Sequence, residues 1–404
     1  MNASEELVFR LCKKSFLSMW SYASPRGKDS GRELCDILVV CDPDVVILSV
    51  KDIGFKESQR IYADWERWRR KAIEQSSKQI YGAERWINEA KYVVTRDGET
   101  ALDFPDVARR QIHRVAVALG GQGKAALYFG DFGKGFVHVF DEVSLGVVMK
   151  ELDTISDFVG YLGAKEQLYA RGAKTVFASG GEENLLASYL QNGREFPDEA
   201  DLIILDGGLW GAFIGTPQYR AKKEADEASY VWDRLIETLA EDFRSEKLVA
   251  EDPFSSTKLP DIEKVIRVMA REDRFCRRLL GKGFIEFLEL SARREVRARI
   301  VPSLSRVQYV FLACPQDEDR KYRLAELAAR CFVVRGLKRE HCLVIGIATE
   351  QYEPGKGYSL DVLYLDKEDW TADDQEQLAY LQRESGYFTH SQQSQLREDE
   401  YPGQ

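Results

Sequence analysis

The sequence predicts an α/β protein: a mixed sheet flanked by helices at its N-terminal end, then a helical segment, then a small α+β domain. Three observations carry this expectation. Apolar strand-like runs alternate with segments of helical spacing as far as residue 215. The stretch 222–298 holds mostly helical patterns. Beyond residue 300, the runs VQYVFLAC, HCLVIGIAT and SLDVLYLD read as strands and RKYRLAELAARCFV as a helix. The expected boundaries are 1–215, 216–299 and 300–390, with a polar tail at 391–404.

Bulk properties narrow the function classes. A chain of 404 residues exceeds one ordinary core, and 44% apolar with 31% charged residues is globular composition. No apolar run approaches the about 20 residues of a membrane span, and MNASEELVF lacks a basic-then-apolar signal, so a cytoplasmic protein without a membrane partner is expected. The seven cysteines are scattered without a CxxC pair and read as buried free thiols. A net charge of -10 excludes a uniformly basic nucleic-acid coat but leaves room for a local basic groove.

Taken in order, residues 4–20 read as a helix with Ser4 as N-cap, Glu5 and Glu6 in the first turn, and Leu7, Val8, Leu11, Ser15 and Met19 at helical spacing. The runs LCDILVVC and VVILSVK, separated by Asp42-Pro43-Asp44, read as a β-hairpin. Helical spacing resumes over 61–80, with Ile61, Trp65, Trp68 and Ala72 on one stripe and Arg67, Lys71 and Lys78 on another. HRVAVAL from His113 and GFVHVF from Gly135 are strand candidates, and 145–170 is an amphipathic helical stretch. The strand KTVFAS, the helix EENLLASYL and the strand DLIILDGG complete the first domain.

The hairpin is apolar on both faces, as a central strand pair should be, yet it carries Asp36 near one end and Lys51 at the other. Such charges are costly unless they meet each other, water or a metal. With Pro43 at the second position of a type I turn, Asp42 would pair with Val45, Leu38 with Ser49 and Asp36 with Lys51. Asp36, Ser49 and Lys51 then share a face, whereas a three-residue turn would separate them. A plain alternative is a salt bridge between strand-end charges.

The order of a helix bearing Glu5 or Glu6, Asp36 on one strand, the triplet Ser49-Val50-Lys51 on the next, and a following helix resembles PD-(D/E)xK (restriction-endonuclease-like) nucleases over residues 4–90. The resemblance implies a restriction-endonuclease-like mixed sheet and Mg²⁺- or Mn²⁺-dependent hydrolysis of DNA phosphodiesters, with RNA as the other substrate. Asp36, the Val50 carbonyl and Glu5 or Glu6 would hold the metal, and Lys51 would orient the attacking water, with Ser49 and Glu5 completing the catalytic set. It further implies a role in bacterial restriction or antiviral defence, and a homodimer or a partner protein. Ser49 departs from the family, which places a carboxylate there. Glu5 or Glu33 could supply the missing charge, or the site binds its metal weakly; otherwise the chain is a decayed nuclease fold that serves as a nucleic-acid-binding or assembly scaffold.

Basic residues suggest where nucleic acid would lie. Arg67, Lys71, Lys78 and Gln79 are candidate contacts, the tryptophans between them being core. The family resemblance implies that Gln75 and Gln79 face the site; the alternative is a place on the surface. From Lys264 to Arg306 there are 12 Lys/Arg against 5 Asp/Glu, and Arg267, Arg271, Arg274 and Arg278 would form one stripe if helical; the alternative is a helix studded with salt bridges. Gly-Gly-Gln-Gly-Lys at 120–124 lacks the spacing of a phosphate loop, with Ala125 where a Ser/Thr belongs. The four histidines, His113, His138, His341 and His390, are unclustered, and His113 and His138 read as structural.

Overall fold

The computed structural model describes residues 1–27, 31–170, 175–178, 181–197, 202–245, 259–340, 343–389 and 398–403. It divides into two compact units, Met1–Tyr219 and Arg220–Gln404. His341, Cys342, His390 and residues 391–397 of the expected tail lie outside the described residues.

The first unit opens with α1 (Ala3–Phe16), which starts one residue before the expected cap. Asn2, not Ser4, is the N-cap: its side chain accepts from the Glu5 N–H while the Glu5 carboxylate accepts from the Asn2 N–H. Then come β1 (Ser21–Ala23), β2 (Ile37–Cys41) and β3 (Asp44–Asp52). Next is a long helical arm made of α2 (Ile61–Arg69), a π-helical turn (Arg70–Glu74) and α3 (Gln75–Glu89). After it come β4 (Tyr92–Val94), β5 (Thr100–Asp103), β6 (Gln111–Leu119), β7 (Gly130–Asp131) and β8 (Phe136–Phe140). The remainder is α4 (Glu142–Glu151), α5 (Ile155–Ala170), β9 (Thr175–Ala178), α6 (Glu182–Gln191), β10 (Leu202–Leu205) and α7 (Leu209–Ile214).

Six strands form one mixed sheet in the order β1-β2-β3-β6-β8-β7. The β2–β3 pair is antiparallel, while β6 lies parallel to β3 and β8 parallel to β6. The sheet is flanked by helices. One face, with Leu38, Val40, Val45, Ile47, Ala116 and Val139, packs under Trp68, Ala72, Ile73 and Ile80 of the arm. The other face meets α1 and α4. The π turn inserts one extra residue into the helical period. It re-phases the buried stripe from Trp68 and Ala72 to Ile73, Ile80 and Ile87; Ile61, expected on that stripe, is exposed. Where β6 ends, Gly120 has φ +85, and a Cβ there would lie 2.6 Å from the Ile53 carbonyl oxygen. Gly120 thus lets two chain segments approach closely.

The boundary between the units falls within α8 (Pro217–Asp226), and the second unit goes on with α9 (Ser229–Arg244), α10 (Leu259–Ala270) and α11 (Arg274–Ala292). They are followed by β11 (Ala298–Pro302), β12 (Gln308–Cys314), α12 (Arg320–Leu337), β13 (Leu343–Glu350), β14 (Leu360–Asp366) and α13 (Ala372–Ser385). Its four-stranded sheet runs β11-β12-β13-β14, with α12 crossing between the parallel β12 and β13. Leu327 and Cys331 of α12 cover one face, so tightly that a Cβ on Gly346 would lie 2.6 Å from the Cys331 sulfur. Trp232, Phe284 and Phe287 pack against Tyr309 and Phe311 on the other. Helices and small sheet therefore belong to one unit. No described helix is long and apolar enough to cross a membrane.

Candidate functional site

The hairpin turn differs from the expected one and corrects the register. The Asp42–Pro43 peptide is cis, Pro43 takes the third turn position, and Cys41 pairs with Asp44. Ile37 therefore faces Leu48, and Asp36 comes level with Ser49 instead of Lys51. A shift of two residues preserves the face, because side chains alternate with period two. Asp36, Ser49 and Lys51 still project to the side covered by the helical arm.

The atoms meet as follows. Asp36 is 9% exposed; its Oδ2 accepts the Val50 N–H at 2.6 Å and lies 3.1 Å from the Ser49 hydroxyl. The same hydroxyl is 3.0 Å from Gln79 Oε1 on α3, so its single proton is shared between two acceptors. Asp36 Oδ1 takes no hydrogen bond, and Lys51 no ion pair, among the described residues. Burial lifts the Asp36 carboxyl above its ordinary value. The Val50 N–H, the Lys51 ammonium and the Ser49 hydroxyl oppose that lift, and the Glu5 charge adds to it. Asp36 thus feels both Lys51 and Glu5. Because the N–H and C=O of one strand residue point to the same edge, the Val50 carbonyl is turned toward the Asp36 side, past the last β2–β3 pair.

Glu5 is placed nearby but held. Its Oε2 accepts the Asn2 N–H at 2.9 Å and its Oε1 the Asn2 amide at 2.7 Å. The capping box that starts α1 therefore engages both oxygens expected to serve a metal. Glu6 is half-buried and Glu33 exposed. Among the described residues no three His, Cys, Asp or Glu side chains are grouped to hold a metal ion. The donors that fit a cation are thus Asp36 Oδ1 and the Val50 carbonyl, a short set suited to an ion that keeps most of its own waters, as Mg²⁺ does.

Of the expected nucleic-acid contacts, Lys71, Lys78 and Gln79 are exposed on the arm. Arg67 is 55% exposed and ion-paired with Asp64. The arginine stripe is not formed. Asp273 caps a new helix, accepting from the Cys276 N–H, so Arg267 and Arg271 are separated from Arg274 and Arg278. Arg267 pairs with Glu263 at 3.4 Å. Arg274 and Arg278 are 2% and 0% exposed and pair with Asp233 and Asp226, which makes them core ion pairs and not a phosphate-facing stripe. His113 bonds Asp44 at 2.7 Å, whereas neither ring nitrogen of the buried His138 has a partner among the described residues. The described cysteines are buried and form no disulfide with one another.

The expectation left out Arg85 and Lys134, which line a cleft of about 540 Å³ with Lys78. The i, i+4, i+7 spacing of Lys78, Gly82 and Arg85 was the signal available for it. Comparison of the chain with protein-family profiles, with curated proteins and with solved structures gave no significant match.

Proposed function

We propose that the first unit is a metal-dependent endonuclease that hydrolyses DNA phosphodiester bonds through a PD-(D/E)xK-like site centred on Asp36 and Lys51. The observation that carries this reading is a buried aspartate with one free oxygen, on the same sheet face as an unpaired lysine, under a helix that contributes Gln79. The order of helix, hairpin and covering helix adds support. A perturbed carboxyl beside a lone cation is also the electrostatic pattern of working sites.

Asp36 Oδ1 and the Val50 carbonyl would hold the ion, with Glu5 joining if its cap opens. Bound there, Mg²⁺ or Mn²⁺ supplies a Lewis acid for the phosphate and lowers the pKa of a water. Lys51 would orient that water and offset charge growing on the phosphate. Ser49 keeps Asp36 aimed, its hydroxyl linking the carboxylate to Gln79 on the arm. The test is nicking of supercoiled plasmid in Mg²⁺ or Mn²⁺ by wild type, Asp36→Ala and Lys51→Ala. Losses of at least about 100-fold in both variants are expected, the scale of a lost acid–base or charge-stabilising group. Equal activity in all three removes the mechanism.

One set of observations favours a second reading, a nuclease fold that has become a binding scaffold. Ser49 stands where a carboxylate is expected, and Glu5 is occupied by its cap. Calorimetric titration separates the two: DNA binding without millimolar Mg²⁺ or Mn²⁺ uptake favours the scaffold.

A further inference from the structure

A cleft of the first unit is built from a helix face and a loop. Lys78, Tyr81, Gly82 and Arg85 form one stripe of α3, and Phe132 to Lys134 form the facing wall. The two walls are pinned together: the Tyr81 hydroxyl donates to the Gly135 carbonyl at 2.6 Å and accepts the Phe132 N–H at 3.3 Å. Asp131 ties the loop to itself, its Oδ1 accepting the N–H groups of Gly133 and Gly135. Fixed walls cost little ordering on binding.

Charge identifies the occupant. Lys78, Arg85 and Lys134 have no ion pair among the described residues and are all exposed. The acid in the lining, Glu74, is neutralised by Arg69 at 2.6 Å. Three unpaired cations converge on a concavity in a chain whose net charge is -10. Gly82 keeps the floor open, since a Cβ there would meet nothing within 4 Å.

We propose that this cleft holds the phosphate backbone of a nucleic-acid strand, with Lys78, Arg85 and Lys134 as phosphate contacts and Gly82 as the clearance. The choice of a nucleic acid as occupant rests on the nuclease reading. Binding and cleavage are nevertheless read separately.

The test measures polarisation of a short labelled DNA duplex with divalent ions chelated, over about 50 to 200 mM salt. Wild type is compared with the triple variant Lys78→Ala, Arg85→Ala, Lys134→Ala, and with Gly82→Phe. The triple variant should bind with a log-affinity against log-salt slope shallower by about 2 to 3, at close to 0.9 per lost contact. Gly82→Phe adds no charge, and its Cβ would meet no neighbour within 4 Å; it should weaken binding at least about tenfold while melting like wild type. Wild-type affinity and slope in both variants, or no binding by wild type, overturns the cleft. Cleft-dependent binding without cleavage in Mn²⁺ leaves it standing and sinks the nuclease reading alone. Cleavage with unaltered binding in both variants does the reverse.

Discussion

Ionised Asp36 loses hydration that two hydrogen bonds and the Lys51 charge do not fully replace, and the fold therefore favours its protonated form. A carboxyl whose folded value is raised contributes stability that is fully present below its unfolded value and is lost as pH rises through the folded one. At neutral pH the ionised group is consequently a local burden. Asp36→Asn keeps an oxygen for the Val50 N–H and removes the charge, so it should melt above wild type near pH 7. The gap should close as pH falls toward the ordinary value of 3.8. Thermal melts at several pH values check this, and a gap independent of pH contradicts it. Such a burden is what a site held for chemistry would impose on its own stability.

At the scale of elements, His138 of β8 gives the opposite sign. Burial, then the charges of Lys165, His113 and Arg114, push its imidazole well below 6.5. A depressed histidine contributes stability above its unfolded value and loses it as pH falls toward the folded one. Wild type should therefore lose stability as pH drops below 6.5, and His138→Phe, which still packs against Phe136, should flatten that limb. Identical pH profiles of melting temperature would refute the assignment. Much at this scale was legible in the sequence. Period-two alternation places Asp36, Ser49 and Lys51 on one face whichever even register is used. The exact register was not legible, because Asp-Pro fits more than one turn. Strands β1, β4, β5 and β7 have two to four residues each, too few for alternation to register. The arginine stripe failed because Asp273 has the residue type of a helix cap, a local signal that periodicity counting passes over. Gln79 facing the site was one of two placements expected, and only through the family resemblance; spacing alone does not give it, since the π turn re-phases the arm without any residue that announces it.

On the scale of the whole molecule, the candidate chemistry and the basic cleft both fall within Met1–Tyr219, which has its own sheet and core. A unit that holds most of its contacts internally should fold alone. A fragment ending at Tyr219 is expected to unfold cooperatively and to keep metal-dependent nicking; a fragment that folds but is inactive would place part of the site in Arg220–Gln404. The mixed sheet with helices on its faces and three strands of the later sheet were expected; β11, the fourth, was not. The grouping of the helical segment with that later sheet was not legible, since it depends on long-range packing such as Trp232 on Tyr309. The central claim is that Asp36 serves phosphodiester hydrolysis. The measurement that reaches it most directly is the plasmid nicking rate of wild type and Asp36→Asn at matched folded fraction, with Mn²⁺ present or chelated. The account predicts metal-dependent nicking by wild type, lost in chelator and reduced at least about 100-fold in the variant; nicking by Asp36→Asn at the wild-type rate, or none by wild type in Mn²⁺, would contradict it.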